Sequence, residues 1–266
     1  LFVLESMKME HVVTASAAGN LRELFIQVGD VVSENEILAA IAPSGLQGQA
    51  EDESASLDLD HIRPDLAEVK ARHALLEDAS RPDAVERRRS RGQRTARENL
   101  AAVCDANTFS EYGGLAIAAM KKVRPVDELQ AKTPADAIIT GTGAVNGALF
   151  DEDAARCAFL VVDATVLAGT QGFFHHKKID RILEIAEHGN MPVIFYPEGG
   201  GGRPNDTDAS DIFVAGLNIT SFSAFAKLSG KVPRVAVVSG FCFAGSAAFA
   251  GCADLIIATE DACLGM

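Results

Sequence analysis

Val235-Ala236-Val237-Val238-Ser239 runs directly into Gly240-Phe241-Cys242-Phe243-Ala244-Gly245-Ser246-Ala247-Ala248. A continuous apolar run of this kind suits a strand covered on both faces of a parallel sheet. The small residues that follow open a helix with hardly any linker. Ligands of parallel α/β sheets sit beyond the carboxyl ends of the strands, and the free N–H groups of such a helix start receive negative charge.

The same pattern repeats upstream. Strands are predicted at Ala137 to Thr140, Phe159 to Asp163 and Val193 to Tyr196, with a later one at Leu255 to Ala258. Helices are predicted from His175 to His188, closed by Gly189 and Pro192, and from Asp211 to Leu228, closed by Gly230. Strand, helix and strand in alternation imply right-handed crossovers and a largely parallel sheet. Two more glycine-rich loops fall at strand ends: Leu167-Ala168-Gly169-Thr170-Gln171-Gly172 and Glu198-Gly199-Gly200-Gly201-Gly202-Arg203-Pro204. Four consecutive glycines cost chain entropy and imply a close backbone approach. Neither a dinucleotide fingerprint nor a phosphate-binding Lys-Ser/Thr loop is present. His175 and His176 are adjacent and so do not face one site from a helix; they read as helix-start or polar-face residues. Glu198 is expected to orient its loop or to cap a neighbouring backbone group.

Ahead of this region, residues 60 to 104 are helical in pattern. Leu66, Val69, His73 and Leu76 share a face, Pro82 starts a second helix, and Thr95-Ala96-Arg97-Glu98 is a capping box for a third, ending near Val103. Between them, Glu86-Arg87-Arg88-Arg89-Ser90-Arg91-Gly92-Gln93-Arg94 is the one concentration of positive charge. It is either a solvated helix face or a landing site for phosphate, which arginine forks suit better than lysine. Residues 43–56 are polar, acidic and aperiodic, as in a flexible linker. The first 42 residues read as short strands: Gly19 with Leu21, Val28 to Val32 and Ile37 to Ile41, separated by Gly/Asn/Asp turns. They begin with Glu5-Ser6-Met7-Lys8-Met9-Glu10-His11, a lysine between two methionines at a hairpin tip.

With 266 residues and 48% hydrophobic content, the chain can bury a sizeable core. A formal charge of −13 and a pI near 4.9 disfavour nucleic acid and anionic membranes as partners. No window has the apolar length of a membrane span. Five cysteines without a C-x-x-C pair fit reduced thiols in a cytosol-like compartment, and no metal site is expected. The first residue falls inside an expected strand, so the chain is expected to be a fragment.

Glu-Ser-Met-Lys-Met-Glu-His followed by Gly-Asp-x-Val resembles the second half of the biotinyl carrier domain of biotin-dependent carboxylases. From about residue 60 onward, Thr165 to Gly172, Glu198 to Pro204 with Asp206-Thr207-Asp208, and Cys242 to Ser246 resemble the N-terminal crotonase-like half of acyl-CoA carboxyltransferases. The order of the two is like that of single-chain acyl-CoA carboxylases. The resemblance implies an α/β, crotonase-like ββα-superhelix at 57–266, a linker at 43–56 and a partial all-β, lipoyl-like sandwich at 1–42.

It further implies that Lys8 carries covalent biotin and that a coenzyme A thioester is the substrate. Ala244 and Gly245 would be backbone donors to a thioester enolate, with Gly200, Gly201 and Gly202 on the opposite wall. Many relatives have two glycines where this chain has Ala244 and Gly245; an alanine keeps its N–H. Arg88 and Arg91 would meet coenzyme A phosphate, and Gly169 would face the ligand. No side-chain base is expected, because in the family biotin itself supplies one. Implied partners are a biotin protein ligase, a biotin carboxylase domain using ATP and bicarbonate, a C-terminal carboxyltransferase half and further copies in an oligomer. The fragment alone is expected to be inactive and the parent enzyme cytoplasmic. Alternatives are a biotin-dependent decarboxylase or transcarboxylase, a non-catalytic carrier scaffold, and an enoyl-CoA hydratase-like crotonase, which would need paired carboxylates by the glycine loops.

Overall fold

The computed structural model describes residues 2–6, 8–15, 17–44, 60–209 and 218–266. The chain divides into two compact units, Leu1–His61 and Ile62–Met266. The linker expected at 43–56 lies, beyond Ser44, outside the described residues, as do 211–217 of the helix expected from Asp211.

In the first unit, β1 (Phe2–Ser6) and β2 (Met9–Val13) form an antiparallel hairpin in which Ser6 faces Met9. Lys8 sits at its tip, exposed, with φ of 67°. β3 (Gly19–Leu24) and β4 (Ala39–Pro43) form a second antiparallel pair with an irregularity between Leu21 and Glu23. The strand expected at Val28–Val32 does not form. Asp30 accepts the Gln27 N–H at 2.7 Å and returns its own N–H to the Gln27 carbonyl, closing a turn through Gly29. The local side-chain bond competes with strand pairing and wins.

The second unit begins with α1 (Pro64–Ala74), α2 (Pro82–Arg89) and α3 (Ala96–Val103). Proline at the first helical position starts both α1 and α2. Both reciprocal bonds of the Thr95/Glu98 capping box are made. Then follow β5 (Ser110–Tyr112), α4 (Val126–Lys132), β6 (Ile138–Ala144), α5 (Glu152–Ala155), β7 (Arg156–Val162), α6 (Phe173–Gly189) and β8 (Val193–Tyr196). The unit closes with α7 (Ser221–Lys227), β9 (Arg234–Val238), β10 (Phe241–Phe243), α8 (Gly245–Gly251), β11 (Leu255–Ala258) and β12 (Cys263–Gly265).

Six strands form one sheet in the order β11-β9-β8-β7-β6-β5. From β11 to β7 all pairs are parallel; β7, β6 and β5 are antiparallel. The expectation of a largely parallel sheet therefore holds for four strands and fails at one edge, where only α5 separates β6 from β7 and no crossover fits. β10 and β12 pair in parallel as a separate two-stranded sheet.

Strand β7 is buried on both faces. Ala158, Leu160 and Val162 pack with Ile179, Ile182 and Leu183 of α6, with Phe195, and with Phe225 and Phe249. Cys157, Phe159 and Val161 turn to the other side, against Ala96 and Leu100 of α3. This period-two division seats the carboxyl ends of β7, β8 and β9 between two packed layers.

Helix α6 is anchored by buried charge. The Phe173 N–H donates to Asp206 Oδ2 (2.6 Å) and the His175 N–H to Asp136 Oδ2 (2.7 Å). The Arg203 guanidinium, 4% exposed, bridges both carboxylates. Asp136 lies in a turn, Ala135-Asp136-Ala137, whose three residues all have positive φ. The ammonium of Lys178 holds that turn by donating to the carbonyls of Ala135 and Ile138. Burial pulls the Lys178 ammonium down to about 8.

His175 and His176 are buried in this anchor rather than on a polar face. His175 Nδ1 pairs with the Asp136 carbonyl oxygen, so it carries the proton, and Nε2 has no partner among the described residues. Burial, then His176, holds the His175 pKa well below the usual value. Burial lowers His176 to about 4, against the pull of Asp180.

In the unfolded chain both imidazoles protonate near pH 6.5. Between about 6.5 and 4 the unfolded state therefore binds more protons than the folded one, and stability falls as the pH falls through that window. His176 alone accounts for roughly 3 kcal/mol across it, at about 1.4 kcal/mol per pH unit. Denaturant midpoints measured from pH 7.5 to 5 should decline, and His176→Gln should flatten the decline. Equal slopes in the two proteins would refute a neutral buried imidazole.

Candidate functional site

The arginine segment splits by partner. Arg88, at the end of α2, forks onto Glu198 with Nη1–Oε1 and Nη2–Oε2 both at 2.8 Å, and its Nε donates to the Arg94 carbonyl. The two side chains are 11% and 7% exposed. With its fork filled by a buried carboxylate, Arg88 holds the loop of Glu198. Arg89 pairs with Glu98. Arg87 and Arg91 are exposed, and no carboxylate partner of either is present among the described residues.

Arg87, Arg88 and Arg91 line one cavity of about 320 Å³ together with Thr165, Ala168, Glu198, Gly199, Gly200, Phe241 and Phe243. The arginine segment and all three glycine loops thus converge, over chain separations as large as the 156 residues between Arg87 and Phe243. Cys242, buried beneath the cavity, has its thiol pushed up to about 11 by burial and then by Glu198.

The loops are stitched edge to edge. Gly199 donates to the Phe241 carbonyl (2.7 Å) and accepts from the Phe243 N–H (3.0 Å). Gln171 donates to the Gly201 carbonyl (2.7 Å) and accepts from the Arg203 N–H (2.8 Å). Gly169, with φ of 65°, lies against the Glu198 carbonyl oxygen and 3.0 Å, from a Cβ placed on it, to the Gly199 Cα. Gly169 is buried and serves that backbone contact.

These bonds leave the N–H groups of Gly200, Gly201, Gly202 and Gly245 without an acceptor among the described residues. The Ala244 N–H is different: it donates to the Gly265 carbonyl at 3.0 Å, completing the β10–β12 edge. Ala244 is thus not a free donor here, a correction to the expected pair. Its φ of 50° turns the chain so that Gly245 begins α8. A Cβ on Gly201 would lie 2.7 Å from the Ala244 Cβ and 3.6 Å from the Gly245 nitrogen, so the two loops touch there. Gly201, Ala244 and Gly245 are not in the lining of the 320 Å³ cavity, whereas Gly200 is.

Preorganised amides beside a water-poor wall can hold negative charge that develops on a thioester oxygen. Exposed arginines at the mouth attract phosphate. No group of three or more His, Cys, Asp or Glu side chains with metal-binding geometry occurs among the described residues, and no described helix is long and apolar enough to cross a membrane. Sequence reasoning overlooked Gln171, Asp136 and Phe222. Gln171 stood inside a quoted loop, but only the fold shows which carbonyl its N–H meets; Asp136 carried no sequence signal.

Residues 87–266 match the family described as Carboxyl transferase domain, and residues 1–41 that described as Biotin-requiring enzyme. The methylmalonyl-CoA carboxyltransferase 12S subunit of Propionibacterium freudenreichii subsp. shermanii is 31% identical over 180 residues, covering 67% of this chain and 31% of that subunit. The propionyl-CoA carboxylase beta chain of Cereibacter sphaeroides is 28% identical over 199 residues, covering 74% and 36%. A solved single-chain, multi-domain long-chain acyl-CoA carboxylase aligns with a TM-score of 0.73 at 43% identity, over 99% of this chain and 24% of that one. The transcarboxylase 12S structure with hydrolysed methylmalonyl-CoA aligns with 0.62 at 26% identity, over 77% and 37%. The chain spans about a third of the length of these curated relatives.

The crotonase-like α/β fold and the biotinyl strands ahead of it are those of the aligned proteins, and the chain belongs to the carboxyl transferase domain family.

Proposed function

We propose that this chain is the biotin-bearing and acyl-CoA-binding part of a biotin-dependent acyl-CoA carboxylase. The observation that carries the reading is the convergence of the two exposed arginines, Arg87 and Arg91, with the glycine loops in one cavity, where the Gly200 amide has no acceptor among the described residues. The site-level reading is coenzyme A phosphate at Arg91 and Arg87, and the thioester carbonyl at the seam of Gly201 and Gly245. Gly200 and Gly202 supply neighbouring amides. Removing one donor from such a hole costs about 10²- to 10³-fold in rate.

The residues around Lys8 fit a covalent cofactor. Lys8 is exposed at the tip between β1 and β2, where a ligase can reach its amine and an amide link can leave it projecting. Biotin, when attached, carries the carboxyl group and supplies the base. The chain's own part is to bind the thioester, to fix its carbonyl against the amides and to keep the oxyanion from water. We assign 1–42 to the carrier, 43–56 to a linker and 57–266 to the transferase half. Biotin protein ligase, a biotin carboxylase domain, a second transferase half and further copies are the partners this reading requires. By itself this chain is expected not to turn over, and we assign the parent enzyme to the cytoplasm. The 31% identity to a methylmalonyl-CoA carboxyltransferase subunit favours transcarboxylation as the second reading.

The test uses the full-length protein produced with a biotin ligase. Peptide mass analysis should place one biotinyl group on Lys8, and Lys8→Arg should abolish both the label and bicarbonate-dependent carboxylation of acyl-CoA. An unlabelled Lys8, or activity surviving Lys8→Arg, refutes the reading. Carboxyl transfer between two acyl-CoAs without ATP would select the transcarboxylase instead.

A further inference from the structure

We infer that Gln171 is a positioning residue that sets the spacing between the two amide-bearing loops; the inference rests on the reading of the seam given above. Gln171 is 4% exposed and ties three segments at once. Its peptide N–H and carbonyl hold Gly201 and Arg203, on either side of Gly202. Its side-chain amide reaches the other loop, where Nε2 donates to Ser246 Oγ at 3.2 Å. Ser246 is fully buried. The carboxamide oxygen lies 2.5 Å from where a Cβ on Gly245 would stand, and Phe222 Cζ lies 3.2 Å from the same point. The residue after Ala244 is thereby walled on two sides, and a Cβ there would displace the Gln171 carboxamide.

One residue therefore joins the Gly200–Gly202 segment, through its backbone, to the start of α8, through its side chain. It adds a side-chain link to the backbone bonds by which Gly199 meets Phe241 and Phe243. Gln171 touches no reacting atom in this reading. It fixes where the Gly245 N–H stands relative to Gly201, and a donor displaced by about 1 Å is enough to cost on the order of 10²-fold in rate.

The test compares Gln171→Leu, which keeps the volume and removes the amide, with Ser246→Ala, which removes its partner, in the full-length enzyme. Each is expected to lower kcat by about 10- to 100-fold while KM for acyl-CoA and the Kd for free coenzyme A stay within about twofold. The double variant should be no worse than the more severe single one, because both delete the same link. Hydrogen exchange in the peptide covering Phe241 to Phe249 should quicken in both. Should Gln171→Leu not fold, Ser246→Ala alone decides. A kcat within threefold of the parent, a loss carried by KM, or additive losses in the double variant would overturn the inference. A parent enzyme that carboxylates no acyl-CoA would instead overturn the reading of the site.

Discussion

Replacing Arg203 by methionine is expected to lower the unfolding free energy by about 3–5 kcal/mol, because it leaves buried charge uncompensated. The Arg203 side chain is 4% exposed, Asp136 is fully buried and the Asp206 side chain is 9% exposed. Both carboxylates are committed to N–H groups at the start of α6, so neither can turn out to water without uncapping that helix. Burial already pushes the Asp136 carboxyl upward while Arg203 draws it down. Without Arg203 the upward push of burial is opposed chiefly by the His175 N–H, and Asp136 takes up a proton at higher pH. The deficit of Arg203→Met relative to the parent should therefore narrow as the pH is lowered. Urea unfolding at pH 7.5 and pH 5 measures both effects. Arg124→Met is the contrast: that side chain, just ahead of α4, is 51% exposed and pairs with Glu128 in the first turn of that helix, so its loss should cost under about 1 kcal/mol. Comparable losses in the two variants would refute the account of the α6 anchor.

Gly199→Ala is expected to lower kcat by about 10²-fold, through displacement of the loop rather than through lost ligand contact. A Cβ on Gly199 would collide with the Gly169 carbonyl oxygen and stand 2.9 Å from its carbonyl carbon. Both obstacles are backbone, and both Gly199 and Gly169 belong to loops pinned by further hydrogen bonds. The strand of contacts Phe241–Gly199–Phe243 must then shift, carrying Glu198 and its Arg88 fork with it. Gly251→Ala, where a Cβ meets nothing within 4 Å, should leave the rate unchanged. Steady-state kinetics of the two full-length variants, with melting temperatures to separate rate from stability, decide the matter. An unimpaired Gly199→Ala enzyme would show that the Gly169–Gly199 contact is dispensable.

How much of this was readable in the chain differs by element. Val193–Tyr196 and Leu255–Ala258 are strands at the expected bounds, since short apolar runs bounded by Gly, Pro or Asp have one reading. The direction of β6 was not readable: a strand buried on both faces looks the same whichever way it runs. Val28 to Val32 misled because β-branched valines beside a Gly-Asp pair signal a strand, whereas Asp30 spends its side chain on a local turn. For the site, the three loops were legible from glycine alone. Their internal bonding was not. Arg88 looked like one of several free cations because nothing in sequence announces a partner 110 residues away. The Ala244 amide looked free because the pairing of β10 with β12 is a tertiary fact. Glu198 orients its loop, as one of its two expected roles had it, by way of Arg88.

Strand β7 is shared by two cores, with Leu160 on one side and Phe159 on the other. A single inserted or deleted residue there would exchange the occupants of both layers at once, so this short segment is closed to length variation during divergence. Neighbouring surface turns carry no such double obligation, and change of chain length in relatives is expected to collect in them.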